Sequence, residues 1–483
     1  VSTDPKTILN YSAVAYFFAK ELNEKYDVPI GIILTAVGGS PAEAWVSEDV
    51  IKEFPNHYRR LEIFKDSDYI QKALESNRVI YTEWNSKLLA NDLGLISDKK
   101  WYDVEYDADD WHEMNIPCFW DEAGLINTNG VVWFRKEFNV PESMIGKELR
   151  LNLGRIVDAD STYVNGKFVG SISYQYPPRI YKIPSGLLKP GKNIIVVRIV
   201  NEGGRGGFIK DKPYNIIDEN QSIDLTGEWK YKVGAVMDRM PGQISVQHNP
   251  TGFFNAMIAP LLNYSIKGVI WYQGESNTGR ADEYQKLFPA LINDWRNNWK
   301  LGDFPFLYVQ LPNFMEASND PSESQWAELR EAQLKTLSVD NTGMAVAIDL
   351  GEWNDIHPWR KKEIGERLAL LAYKIAYNEK EVVESGPIYK SMEVKDGKII
   401  LTFSNIGSGL ISIDGSELKE FAIAGEDNKF LWANAIIEND KVIVWHDDIK
   451  NPINVRYAWA NNPDKANLYN KEGLPASPFR TGN

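Results

Sequence analysis

Between Asn10 and Lys25, Val14, Phe17, Phe18 and Leu22 recur at i, i+3, i+4 and i+8, the spacing of an amphipathic helix. The next apolar run, residues 30–37, is continuous, follows Pro29 and ends at Gly38-Gly39. A continuous run after a helix predicts a parallel strand buried on both faces. Near residue 250 the same alternation resumes. Residues 267–272, 304–311 and 344–350 read as short buried strands. Tyr284, Leu287, Phe288, Leu291, Ile292 and Trp295 repeat at helical spacing, and residues 325–337 and 361–377 read as further helices. This order predicts an α/β fold with a doubly wound parallel sheet. In such sheets ligands sit outside the carboxyl ends of the strands, which singles out loops 38–44, 273–277 and 351–360. A parallel sheet opens on a strand and crosses over through a helix, whereas this chain begins with the helix. A leading strand is therefore expected on polypeptide outside these residues, the chain being a fragment or processed piece of a longer protein.

The texture changes in the middle. From about 100 to 235 helical periodicity gives way to short alternating runs such as residues 131–138, 149–153 and 194–200. Asn165-Gly166, between Thr162-Tyr163-Val164 and Phe168-Val169, is a two-residue hairpin signal because both central positions need a positive φ. The spacing suggests an inserted β-sandwich. After residue 381 the alternation becomes β-like again, with strands expected at 397–403, 421–424, 441–445 and 455–459. Four segments result: 1–98 and 236–380 for the α/β domain, 99–235 for the sandwich, and 381–483 for a C-terminal β domain.

Composition narrows the function classes. The chain has 483 residues, and 53 Lys and Arg against 67 Asp and Glu give a net charge of −14. That balance argues against binding a phosphate backbone, which needs clustered cations. Hydrophobic residues make up 43%, enough for sizeable cores and too many for a disordered chain. No apolar run approaches the roughly 18 residues of a membrane-spanning helix. Cys118 is the sole cysteine, which excludes an internal disulfide and a Cys-rich metal site. No HxH or HExxH pattern is present, which argues against a classical zinc hydrolase.

Of the five histidines, only His357 falls in a loop at the carboxyl end of an expected strand, within Asp355-Ile356-His357-Pro358. A carboxylate beside a histidine fixes its tautomer and stabilises its protonated form. Gly38-Gly39 lets backbone amides approach a ligand, and Gln273 offers an amide donor; both are components of an oxyanion hole. A tight turn and a buried loop-tying amide account for the same residues without catalysis.

Three blocks carry a resemblance. Residues 30–45, ending Gly38-Gly39-Ser40-Pro41-Ala42-Glu43-Ala44-Trp45, residues 268–277, with Trp271-Tyr272-Gln273-Gly274-Glu275-Ser276-Asn277, and Asn354-Asp355-Ile356-His357-Pro358 resemble the sialate O-acetylesterase family, SGNH-type esterases that remove acetyl groups from sugars. Tyr163-Val164-Asn165-Gly166 resembles the family's inserted jelly-roll, and Tyr457-Ala458-Trp459 with residues 474–479 resembles its C-terminal β domain. The resemblance implies His357 as general base and Gly39 and Gln273 in the oxyanion hole. Asp355 is the expected partner of His357, although the usual spacing falls on Asn354. Glu275 and Arg360 are candidates for shaping the substrate pocket. The acyl-transfer mechanism that the resemblance implies needs no metal or other cofactor. The family's Gly-Gln-Ser-Asn nucleophile motif is absent from the chain. Ser12, Ser40 and Ser276 do not occupy its place. The resemblance thus implies a serine on an N-terminal segment of the same protein as a partner, and a secreted or periplasmic location. No signal segment is visible at Val1. A glycoside hydrolase with paired carboxylates and a non-catalytic glycan-binding protein remain as other readings.

Overall fold

The computed structural model describes residues 4–482, a mixed helix and sheet chain that divides into two compact units, one of residues 68–244 and one of the rest. In the second of these, β1 (Val269–Trp271), β2 (Phe306–Val309) and β3 (Thr342–Ala345) form a parallel sheet in that order. The apolar runs alternate between two cores, as a sheet covered on both faces requires. Trp271, Phe306, Tyr308 and Met344 enter one core with Tyr284, Phe288, Leu291 and Trp295 of the helix Ala281–Trp299. Leu307, Val309 and Ala345 enter the other with Val14 and Leu22 of helix Ala13–Tyr26 and Ile364, Leu368 and Leu371 of helix Lys361–Ile375. Ser12 caps the first helix, its Oγ accepting the Ala15 amide at 3.2 Å.

One expected strand does not form. Residues 30–37 are not in any sheet, and Ile33 and Leu34 are 50% and 43% exposed. Among the described residues, the backbone groups of residues 30–36 pair with no other backbone group. The physical reason is the edge: β1 pairs only with β2, so nothing adjoins this run to complete its ladder. The apolar pattern that signals a strand is present, and its partner is not among the described residues.

The C-terminal β region packs in the same unit. Its four-stranded sheets run Ile388–Lys395, Lys398–Ser404, Lys441–Trp445, Asn434–Glu438, and Leu431–Trp432, Phe421–Ala424, Asn454–Tyr457, Phe479–Arg480. Arg330, fully buried on the helix Gln325–Lys335, joins this region to the α/β layer. It donates to the carbonyls of Leu311, Pro312, Ala460 and Asn461 at 2.6–3.0 Å. With no carboxylate beside it, burial pushes its pKa down to about 9.

The other unit is an antiparallel sandwich of one six-stranded and one four-stranded sheet. Val132, Phe134, Leu151, Leu153, Val197, Ile216 and Trp229 fill the space between them. Asn165 and Gly166 turn the hairpin between Ala159–Val164 and Lys167–Ile172 with φ of 46° and 77°. This unit extends beyond the β-rich segment because the helix Ser67–Asn91 packs Trp84 and Leu88 onto its sheet, beside Val131, Trp133 and Val196. Fully buried Asp92 anchors the join, accepting Trp133 Nε1 at 2.8 Å and Arg198 Nε at 2.7 Å.

Candidate active site

Two loops at the carboxyl side of the parallel sheet are tied directly together. Gly39 turns with a φ of +70°, which favours glycine, and its carbonyl accepts the Ser276 hydroxyl at 2.8 Å. Its own N–H donates to no group among the described residues. Gln273, 8% exposed, donates to Ser40 O at 3.2 Å and Asn277 Oδ1 at 2.7 Å, and accepts the Tyr284 hydroxyl at 3.2 Å. Both amide hydrogens of Gln273 are therefore engaged in holding the loops. Of the two expected oxyanion donors, only the Gly39 amide is unoccupied among the described residues.

A buried polar network backs these loops. Asn277 Oδ1 also accepts the Ala42 amide at 2.9 Å, while its Nδ2 donates to Glu43 at 3.0 Å. Glu43 accepts Arg280 Nη2 at 2.8 Å, and Arg280 Nη1 donates to Glu283 at 2.6 Å. His57 Nε2 lies 2.8 Å from Glu283 and 3.1 Å from Arg280 Nη1. Glu43, His57 and Glu283 are close enough to hold a metal ion, but the Arg280 guanidinium already supplies positive charge among them. Sequence reasoning gave none of these four a role. Arg280 and Glu283 are one helical turn apart, but Glu43 and His57 lie more than 200 residues from both of them, so no local spacing brings the four together.

The third loop follows β3. Asp355 is 1% exposed and its Oδ1 accepts the His357 N–H at 2.9 Å. The same oxygen lies 3.9 Å from His357 Nδ1, and the imidazole is 54% exposed. Arg360, also exposed, donates to Glu363 at 2.8 Å and to Asp349 O at 3.2 Å. Lys361 opens the following helix with its Nζ 5.1 Å from the centre of the Tyr272 ring. Burial pushes Lys361 down, while Glu275, Asp355 and Glu352 act on it to raise its pKa. Glu275, in the loop after β1, is itself pushed up by burial and held down in part by Lys361. Sequence reasoning did not single out Lys361.

The three serines nearest the expected motif positions, Ser12, Ser40 and Ser276, are engaged in hydrogen bonds of their own. Ser40 Oγ donates to Val37 O at 2.7 Å and accepts Trp45 Nε1 at 2.9 Å, and Ser276 is bound to Gly39. Ser12 serves as a helix cap.

Comparison with known proteins gives these loops a context. Residues 241–374 match the family described as carbohydrate esterase, sialic acid-specific acetylesterase, and residues 64–232 match the sugar binding domain of the family 2 glycosyl hydrolases. A sialate O-acetylesterase of Mus musculus is 34% identical over 253 residues, 47% of this chain and 46% of that protein. That of Homo sapiens is 32% identical over 253 residues, 47% of this chain and 48% of that protein. The chain thus covers about half the length of the curated relatives it matches. The crystal structure of a carbohydrate acetylesterase from Xanthomonas citri aligns over 70% of this chain and 96% of its own, at 29% identity and a TM-score of 0.48. Residues 241–374, which hold the second and third of the sequence blocks, are accordingly similar to sialic acid-specific acetylesterases, and the chain is similar over 253 residues to curated sialate O-acetylesterases.

Proposed function

We propose that this chain acts as a carbohydrate O-acetylesterase, a carboxylic ester hydrolase that removes acetyl groups from sialic acid or acetylated polysaccharide by serine acyl transfer. The observation that carries this reading is the Asp355–His357 pair, in which buried Asp355 Oδ1 accepts the His357 amide at 2.9 Å and lies 3.9 Å from Nδ1 of the exposed imidazole. The identity of 32–34% to sialate O-acetylesterases supports the substrate class.

In this reading a small turn of the Asp355 carboxylate places Oδ1 on His357 Nδ1–H, which leaves Nε2 as the base. The nucleophile is a serine on polypeptide outside these residues, since Ser12, Ser40 and Ser276 are all engaged. His357 takes the serine proton as its oxygen attacks the acetyl carbonyl. The Gly39 amide and the serine's own amide receive the developing oxyanion. Gln273 contributes by redirecting the hydrogen now in its long bond to Ser40 O. His357 then passes its proton to the sugar oxygen as the acyl-enzyme forms, and a water deprotonated by His357 releases acetate. Glu275 and Arg360 border the sugar pocket, no metal or cofactor takes part, and the protein is secreted or periplasmic. The completed sheet is doubly wound, with residues 30–37 as a strand.

The test supplies the full-length protein with an O-acetylated sugar and measures both acetate and new reducing ends. Acetate alone is the expected product. Reducing ends without acetate would replace this reading with a glycoside hydrolase, and binding without either product with a glycan-binding protein.

A further inference from the structure

Arg280 reaches both loops that carry the expected oxyanion groups. It stands just before the helix Ala281–Trp299, and its Nη2 donates to Glu43 at 2.8 Å and to the Ser276 carbonyl at 3.5 Å. Glu43 lies in the single turn Ala42–Trp45 that follows Gly38-Gly39, and the Ser276 hydroxyl holds the Gly39 carbonyl. The guanidinium is itself held from behind. Its Nη1 donates to Glu283 at 2.6 Å and lies 3.1 Å from His57 Nε2. The far end of the same segment is anchored farther along that helix, where Asp294 accepts the Ser47 amide and hydroxyl at 2.7 and 2.6 Å and Trp295 Nε1 donates to Trp45 O at 2.8 Å. Arg280 is the charged anchor on the Gly39 side. Glu43 is 4% exposed, and a carboxylate buried to that degree depends on a compensating cation to stay in place.

We infer that Arg280 is a positioning residue: it clamps the turn at Gly39 against the Gln273–Asn277 loop and so sets where the Gly39 N–H meets an oxyanion. The inference rests on the proposed esterase reading, to which it adds a residue that acts without touching substrate. The oxyanion forms only as the ester is attacked, so a misplaced N–H weakens the transition state and leaves ground-state binding alone. A displacement of about 1 Å costs up to about 10²-fold in rate. Lysine cannot replace the clamp. One ammonium on a flexible stem does not hold Glu43, Glu283 and the Ser276 carbonyl in the geometry of a rigid planar fork.

The experiment takes Arg280→Met and, because it keeps a cation beside buried Glu43, Arg280→Lys. In the 483-residue chain, amide hydrogen exchange is followed at Ala42, whose N–H donates to Asn277 Oδ1, at Ala44, and at Phe306–Val309 in β2. The clamp predicts exchange about tenfold or more faster at Ala42 and Ala44 in both variants, with β2 unchanged in the lysine variant. Unchanged exchange at Ala42 and Ala44 overturns it. So does equal acceleration at β2 in the lysine variant, which reports a loss of stability throughout the unit. In the full-length protein, kcat for an acetyl ester should fall about 10- to 100-fold in both variants while KM stays within about twofold. Full kcat in Arg280→Lys contradicts the clamp, because charge alone then suffices. A raised KM at unchanged kcat contradicts it by making Arg280 a contact of the ester. Local acceleration together with no acetate release from the unsubstituted protein leaves the clamp standing and removes the esterase reading. Acetate release with kcat unchanged in both variants does the reverse.

Discussion

Asp355 grips His357 by the backbone: Oδ1 accepts the His357 amide at 2.9 Å while standing 3.9 Å from Nδ1 of the same residue. One buried carboxylate thus fixes the loop and waits within a short rotation of the imidazole. In Asp355→Asn the side-chain oxygen still accepts the amide, so the loop should keep its shape, but the charge that stabilises the imidazolium is gone. Turnover of an acetyl ester should fall about 10²–10⁴-fold with an unchanged melting temperature. A fall of less than threefold would instead assign the partner's role to Asn354.

Asn277 is the hub that joins Ala42, Glu43 and Gln273. Asn277→Ala leaves the Ala42 amide, one Gln273 hydrogen and a Glu43 oxygen without their partner, at roughly 1–3 kcal/mol for each buried group. Denaturant unfolding should show a loss of at least about 2 kcal/mol, and relaxation of the Gly39 turn should lower activity beyond what stability explains.

Arg330 serves four carbonyls from the centre of the larger unit. Arg330→Met keeps the apolar stem and removes every donor. The expected cost is about 3 kcal/mol or more, read as a lower urea midpoint. Arg330→Lys should recover little of it, because one ammonium cannot reproduce the planar fork.

Burial and the neighbouring Asp464 push Glu420 from 4.5 up to about 7, against a lowering by Lys465. The folded protein therefore holds this proton more tightly than the unfolded chain. The contribution is fully present below pH 4.5 and is lost as pH rises to about 7. Stability should decline over that window by up to about 3 kcal/mol from this group. Glu420→Gln should flatten the decline, as seen in melting temperatures across the same range.

Much of this was legible in the chain because apolar period and turn chemistry are local properties. Residues 149–153, 421–424 and 441–445 read as strands and form them, and the Asn165-Gly166 turn sits where the dipeptide placed it. The same local signal misled at residues 30–37, since pattern shows that a run can pair but not that a partner lies beside it. The Gln273 amide was legible as a donor, but its two acceptors were not. Those depend on Ser40 and on a side chain one turn away whose orientation Glu43 sets. Lys361 escaped notice because its nearness to the Tyr272 ring, 89 positions earlier, is set by the fold and not by local spacing.

The most direct measurement is acetate release from an O-acetylated sugar by full-length protein carrying His357 or His357→Ala. Removal of the base should reduce the rate by about 10²–10⁴-fold while the melting temperature stays the same, because the imidazole is exposed. A variant that keeps most of its activity would show that another group takes the proton, and would contradict the assignment.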